Sequence, residues 1–134
     1  MKVYIASRYS RRHEMQQYAQ DLRADGYIVT SRWILGAHEA SDALNDAERE
    51  RFAKEDWDDL VGSQFLVTFS EDNTSIKDPG QCRGGRHVEL GIALAIGMPV
   101  FLIGPRENIF HWLPRVRIFS NWQFARAAIL DYEW

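Results

Sequence analysis

Four short apolar runs, spaced by segments of helical period, confine this chain to one broad architecture. Val3-Tyr4-Ile5-Ala6, Tyr27-Ile28-Val29-Thr30, Phe65-Leu66-Val67-Thr68-Phe69 and Pro99-Val100-Phe101-Leu102-Ile103 are rich in β-branched and aromatic residues and too short for helices. Between the first two, Met15, Tyr18, Ala19 and Leu22 draw an apolar stripe along a helix from about His13 to Ala24, which Gly26 ends. A second helix starts at Asp42 or Asn45 and continues to about Val61, with Phe52, Ala53, Trp57, Leu60 and Val61 on its buried side. A third covers Val88 to Ile96, and its Ile92-to-Gly97 stretch is expected to be buried. Val116 to Phe119 reads as a short last strand, and Asn121 to Tyr132 as a closing helix. Strand–helix–strand units pair in parallel through right-handed crossovers. The expected fold is therefore α/β, a three-layer sandwich around a mostly parallel sheet, with its chemistry on the loops that follow the strands.

Bulk properties narrow the class further. The 134 residues suffice for one compact domain, and with no repeat or composition break a single domain over 1–134 is expected. A formal net charge of -3 argues against a nucleic-acid polymer as partner. No charged start leads into an apolar run, and no stretch is long and apolar enough to span a bilayer, so a cytoplasmic protein without a membrane partner is expected. The lone Cys82 can form neither an internal disulfide nor a thiolate metal cluster. Five tryptophans and seven phenylalanines are many for this length. Trp112, Phe119, Trp122, Phe124 and Trp134 gather toward the end, where they either complete the core or bury a subunit interface.

The chemistry points to Gly84-Gly85-Arg86-His87-Val88-Glu89-Leu90-Gly91, which sets a carboxylate at the start of an apolar helix. Glu89, Ile92, Ala93 and Ile96 share one helical side by three-and-four spacing, so Glu89 lines a pocket rather than facing bulk water. Its bland reading is a charge that complements the helix dipole. Asp56 lies between Phe52 and Leu60 at four-residue spacing, an unexpected place for an acid away from the rim of a core. Two such carboxylates can divide a glycosidic cleavage, one attacking the anomeric carbon while the other moves a proton. They can equally hold Mg²⁺, but no spacing here specifies a metal site, and no cofactor is expected. Ser7-Arg8-Tyr9-Ser10-Arg11-Arg12, after the first strand, offers hydroxyls and guanidinium groups to a phosphate, or is a solvated loop. It lacks the glycine frame of a P-loop and of the dinucleotide fingerprint. Arg83 and Arg86 bind phosphate, lower the pKa of Glu89 so that it stays ionised, or are surface charges. Trp33, in an irregular polar context, can stack on a ligand, whereas Tyr4 and Phe69 read as core.

Taken together, Ile5-Ala6-Ser7-Arg8, the helix end from Asp56 to Ser63, Gly85 to Gly91 and the strand and turn from Pro99 to Gly104 resemble the nucleoside 2-deoxyribosyltransferase family and its nucleotide N-glycosidase relatives. The resemblance implies a flavodoxin-like fold and cleavage of the base–sugar bond of a nucleoside or nucleotide. It implies Glu89 as the nucleophile that forms a glycosyl-enzyme intermediate, Asp56 as the acid that serves the leaving base, and Ser7 and Arg8 in the substrate-binding loop. Arg83 falls where some nucleotide-specific relatives carry a phosphate-contacting serine, and this difference weakens any transfer of phosphate specificity. Family members form dimers or larger assemblies in which a neighbour often completes the site, so a homodimer or higher homo-oligomer is expected, with Asn108 as the candidate shared residue. The substrate-binding set is then Ser7, Arg8, Trp33, Arg83, Arg86 and Asn108. A non-catalytic nucleotide-binding or sensor module, or an interaction protein built on the late aromatics, are the alternatives.

Overall fold

The computed structural model describes residues 1–36, 44–72 and 84–134. Five strands form one sheet: β1 (Lys2–Ala6), β2 (Ile28–Val29), β3 (Phe65–Phe69), β4 (Val100–Ile103) and β5 (Val116–Phe119). Their order is β2-β1-β3-β4-β5, and every pairing is parallel. Val3 sits opposite Phe65 and Leu66 opposite Val100, so the three central strands are level across the sheet. All five residues of β3 are buried, as expected of a strand covered on both faces.

Helices α1 (Arg12–Ala24) and α4 (Trp122–Leu130) cover one face, joined by Trp122 Nε1–H to Asp21 at 2.8 Å and by Arg126 to Asp25 at 2.7 Å. Helices α2 (Asp46–Val61) and α3 (Gly85–Ala95) lie together on the other face, packed on β1, β3 and β4. This is the expected three-layer α/β sandwich, in the flavodoxin-like strand order. Among the described residues, no helix is long and apolar enough to cross a membrane.

Local chemistry explains the boundaries. Asn45 is the cap of α2: its side chain accepts from the Glu48 N–H, and the Glu48 side chain accepts from the Asn45 N–H. Asn121 caps α4 through the Phe124 N–H. Helix α3 begins three residues earlier than its apolar pattern suggested. Gly84 takes a left-handed φ of 79°, which turns the chain directly into the helix and leaves Gly85 as its first residue.

Two expectations of burial are corrected. On α2 the line Phe52, Asp56, Leu60 faces inward, while Ala53 is exposed and Trp57 and Val61 keep 54% and 39% of their surface. On α3 Arg86, Leu90 and Ala93 face the sheet, and Ile96 is exposed. The reason is geometric: a helix laid on a sheet hides one stripe, and residues one position off it turn about 100° away. The late aromatics divide as well. Trp122 is buried and Trp134 packs on Phe65 with ring centres 4.4 Å apart, whereas Trp112 and Phe124 are exposed.

Candidate active site

In an open parallel sheet, ligands settle outside the carboxyl ends of the strands where the strand order reverses. Here the chain steps from β1 out to β2 and then crosses back to β3, so the crevice opens at the ends of β1 and β3. The Ser7 loop follows β1 and the Ser70 segment follows β3. Helices α2 and α3 flank this end on one face and carry Asp56 and Glu89.

The two acids act on each other and on Tyr4. Burial pushes the Glu89 carboxyl up to about 8; the Tyr4 hydroxyl pulls the other way, and the Asp56 charge adds to the rise. Glu89 nevertheless keeps a partial opening to solvent, and one Asp56 oxygen is buried while the residue is only partly so. Tyr4 has no exposed surface, and burial, then Glu89, then Asp56 hold its phenol well above the ordinary range. The phenol faces Glu89 closely enough to favour the carboxylate, yet it makes no hydrogen bond of good geometry. Sequence reasoning assigned Tyr4 to the core and missed its hydroxyl. The available signal was a polar oxygen in mid-strand, on the face that α2 and α3 cover.

The first loop supplies charge. Ser7 is nearly buried, and its hydroxyl donates to the Arg8 carbonyl at 2.9 Å. Arg8 is largely buried, with Nη1 3.9 Å from Glu71 and a buried Nε that makes no hydrogen bond. Arg11 pairs with the same Glu71 at 3.0 Å and with Glu14 at 2.7 Å, so the two arginines balance the two carboxylates.

Other candidates are placed differently from the way the sequence read. Trp33 lies in the core at 6% exposure, and its indole N–H donates to the Ile5 carbonyl at 2.7 Å. Its polar surroundings in sequence hid a short 3₁₀ turn, Arg32–Leu35, that tucks the ring beneath β1. Arg86 is not the surface charge that one reading of the sequence made it. It is 7% exposed and grips Glu107 with both guanidinium nitrogens, at 2.5 and 2.6 Å. The expectation that it lowers the pKa of Glu89 is corrected: that carboxyl is raised, and Arg86 is not among the groups that shift it. Asn108 accepts from the Phe110 N–H at 2.9 Å, and its amide nitrogen lies 3.2 Å from His87 Nδ1 and 3.4 Å from His111 Nε2. Arg83 lies outside the described residues.

Among the described residues, no group of three or more His, Cys, Asp or Glu side chains could hold a metal ion. An open groove at the ends of β4 and β5, lined by Gly104, Pro105, Arg106, Ile118, Phe119 and Ser120, contains none of the acids. The two acids, rather than that groove, mark the candidate site.

No protein-family model matches the chain, and no curated protein matches it. Solved structures do. A 2-deoxyribosyltransferase from the psychrotolerant bacterium Bacillus psychrosaccharolyticus superposes with a TM-score of 0.71 at 20% identity, covering 100% of this chain and 93% of that one. The CMP N-glycosidase BcmB of Clostridium botulinum superposes with a TM-score of 0.59 at 16% identity, covering 98% of each chain. At these identities the likeness is one of fold, and it agrees with the fold that the sequence resemblance implied.

Proposed function

We propose that this chain cleaves the N-glycosidic bond of a nucleoside or nucleoside 5′-monophosphate, with Glu89 as nucleophile and Asp56 as proton carrier. The observation that carries this reading is the coupling of Glu89 to Asp56 and Tyr4 at the switch-point crevice. The likeness in fold to a 2-deoxyribosyltransferase and a CMP N-glycosidase supports the same chemistry.

The steps follow from the acidities. Glu89 holds a proton at neutral pH, because its carboxyl ionises at about 8. Attack therefore waits for that proton to leave, and Asp56 is the neighbouring base that takes it. The Glu89 carboxylate then bonds to the anomeric carbon as the glycosidic bond breaks. The departing base keeps the bonding electron pair and takes the proton from Asp56. Water, or a second base, then attacks the same carbon, gives its proton to the ionised Asp56 and releases the Glu89 carboxylate. Tyr4 favours the ionised glutamate from below and strengthens the nucleophile's ionisation without touching the substrate. Arg8 and Ser7, at the end of β1, serve the sugar or its phosphate. The exposed Ile109, Phe110 and Trp112 support assembly into a homo-oligomer.

Incubation with a panel of nucleosides and monophosphates, with and without an acceptor base, tests the reading by chromatography of free base. Release or exchange of base is expected from the wild type and none from Glu89→Ala. Ligand-induced thermal stabilisation without product across the panel would place the chain among binding modules instead.

A further inference from the structure

The buried pair of Arg86 and Glu107 has no role in the chemistry described so far. Arg86 lies three residues before Glu89 on α3, a spacing that makes the two side chains neighbours on the helix surface. Helical side chains lean toward the N-terminus, which carries Glu89 back over the turn that bears Arg86. The structure pairs Arg86 with Glu107 instead. That carboxylate takes both Arg86 nitrogens, accepts the Glu71 backbone N–H at 3.0 Å and lies 3.5 Å from His87 Nε2. Its own backbone N–H donates to His111 Nδ1 at 2.9 Å, so the acceptor is itself fixed in place. Each member of the pair is 7% exposed. Stability alone does not account for it, because an apolar pair of similar volume commonly does as well.

Building on the proposed role of Glu89, we propose that Glu107 is a positioning residue: it holds the Arg86 cation away from Glu89 and reserves that acid for Tyr4 and Asp56. The groups around Glu89 fit this division. Tyr4 faces it from β1 and Asp56 from α2, and no cation among the described residues contributes to its acidity. The groups around Glu107 are Arg86 and His87 from α3 and His111 from its own loop. Both histidines are held below their ordinary range by burial and so stay neutral near pH 7, leaving Arg86 as the charge that Glu107 answers. The nearby carboxylate of Glu71 is occupied by Arg8 and Arg11 and does not compete for Arg86.

The test follows the Glu89 carboxyl directly. Protein labelled with ¹³C at glutamate carboxyls is titrated, and the Glu89 resonance is assigned by its loss in Glu89→Gln. In Glu107→Gln and in Glu107→Ala, which both leave the Arg86 cation free to turn, the Glu89 midpoint falls by about one pH unit or more. In the double variant Arg86→Met with Glu107→Gln, which strands no charge, it returns to the wild-type value. A midpoint unmoved in whichever single variant folds overturns the proposal. Base release by Glu89→Ala is measured in parallel: wild-type turnover there removes Glu89 as nucleophile but leaves the titration result standing.

Discussion

Replacing Glu89 by Gln gives the most informative measurement of stability, because the neutral amide imitates the protonated acid. In the native protein Glu89 ionises at about 8, against an ordinary 4.5. A carboxyl with a raised native value keeps its proton folded where the unfolded chain has lost it. The native state therefore binds more protons than the unfolded state between about pH 4.5 and 8, and stability falls as pH rises through that window. Its slope is about 1.4 kcal/mol per pH unit, so the full window is worth about 5 kcal/mol, reduced to roughly 3–5 by the partial solvent access of the carboxyl. The variant loses this dependence. Its stability should equal that of the wild type near pH 4 and exceed it by that amount at pH 9. Urea unfolding followed by tryptophan fluorescence at half-unit pH intervals measures both proteins. Stability curves that stay parallel from pH 4 to 9 would refute the reasoning, since they would mean that Glu89 ionises as easily folded as unfolded.

Three other perturbations test separate parts of the structure. Tyr4→Phe removes the group that favours ionised Glu89, so the fall of kcat/KM above pH 8, where the pair loses the proton that Asp56 delivers, should move to higher pH. Because that phenol makes no hydrogen bond of good geometry, the same change should cost less than about 1 kcal/mol in urea unfolding. Asn45→Ala removes the α2 cap and should cost about 1 kcal/mol, with Asn45→Ser recovering most of it. Gly104→Ala should cost about 1–3 kcal/mol by the same assay. Its φ of 120° is strained for an alanine, and the added methyl would stand 2.5 Å from Ser70 Oγ, where the loops after β3 and β4 touch.

The order and type of the elements were legible in the chain because a buried parallel strand and a helix of period 3.6 leave different patterns. Phe65 to Phe69 and Val116 to Phe119 were read to the residue, and Asn45, the cap of α2, was one of the two starts read for that helix. Asp56 was legible for a similar reason: an acid between Phe52 and Leu60 conflicts with the pattern around it. The partners of these residues were not legible, since contact across elements leaves no local pattern. Nothing near Arg86 in sequence names Glu107, which lies twenty-one positions further on. Nothing near Tyr4 reveals that its hydroxyl meets acids from two helices. Trp33 read as a ring that stacks on a ligand because the turn that buries it lies outside any helical or strand period. The amino-acid order thus determined which segments become strands and helices, through backbone propensity and the repeat of apolar side chains. Tertiary packing alone decided which charges meet and how tightly each acid holds its proton, because both depend on distances and on exclusion of water that exist only once the layers close.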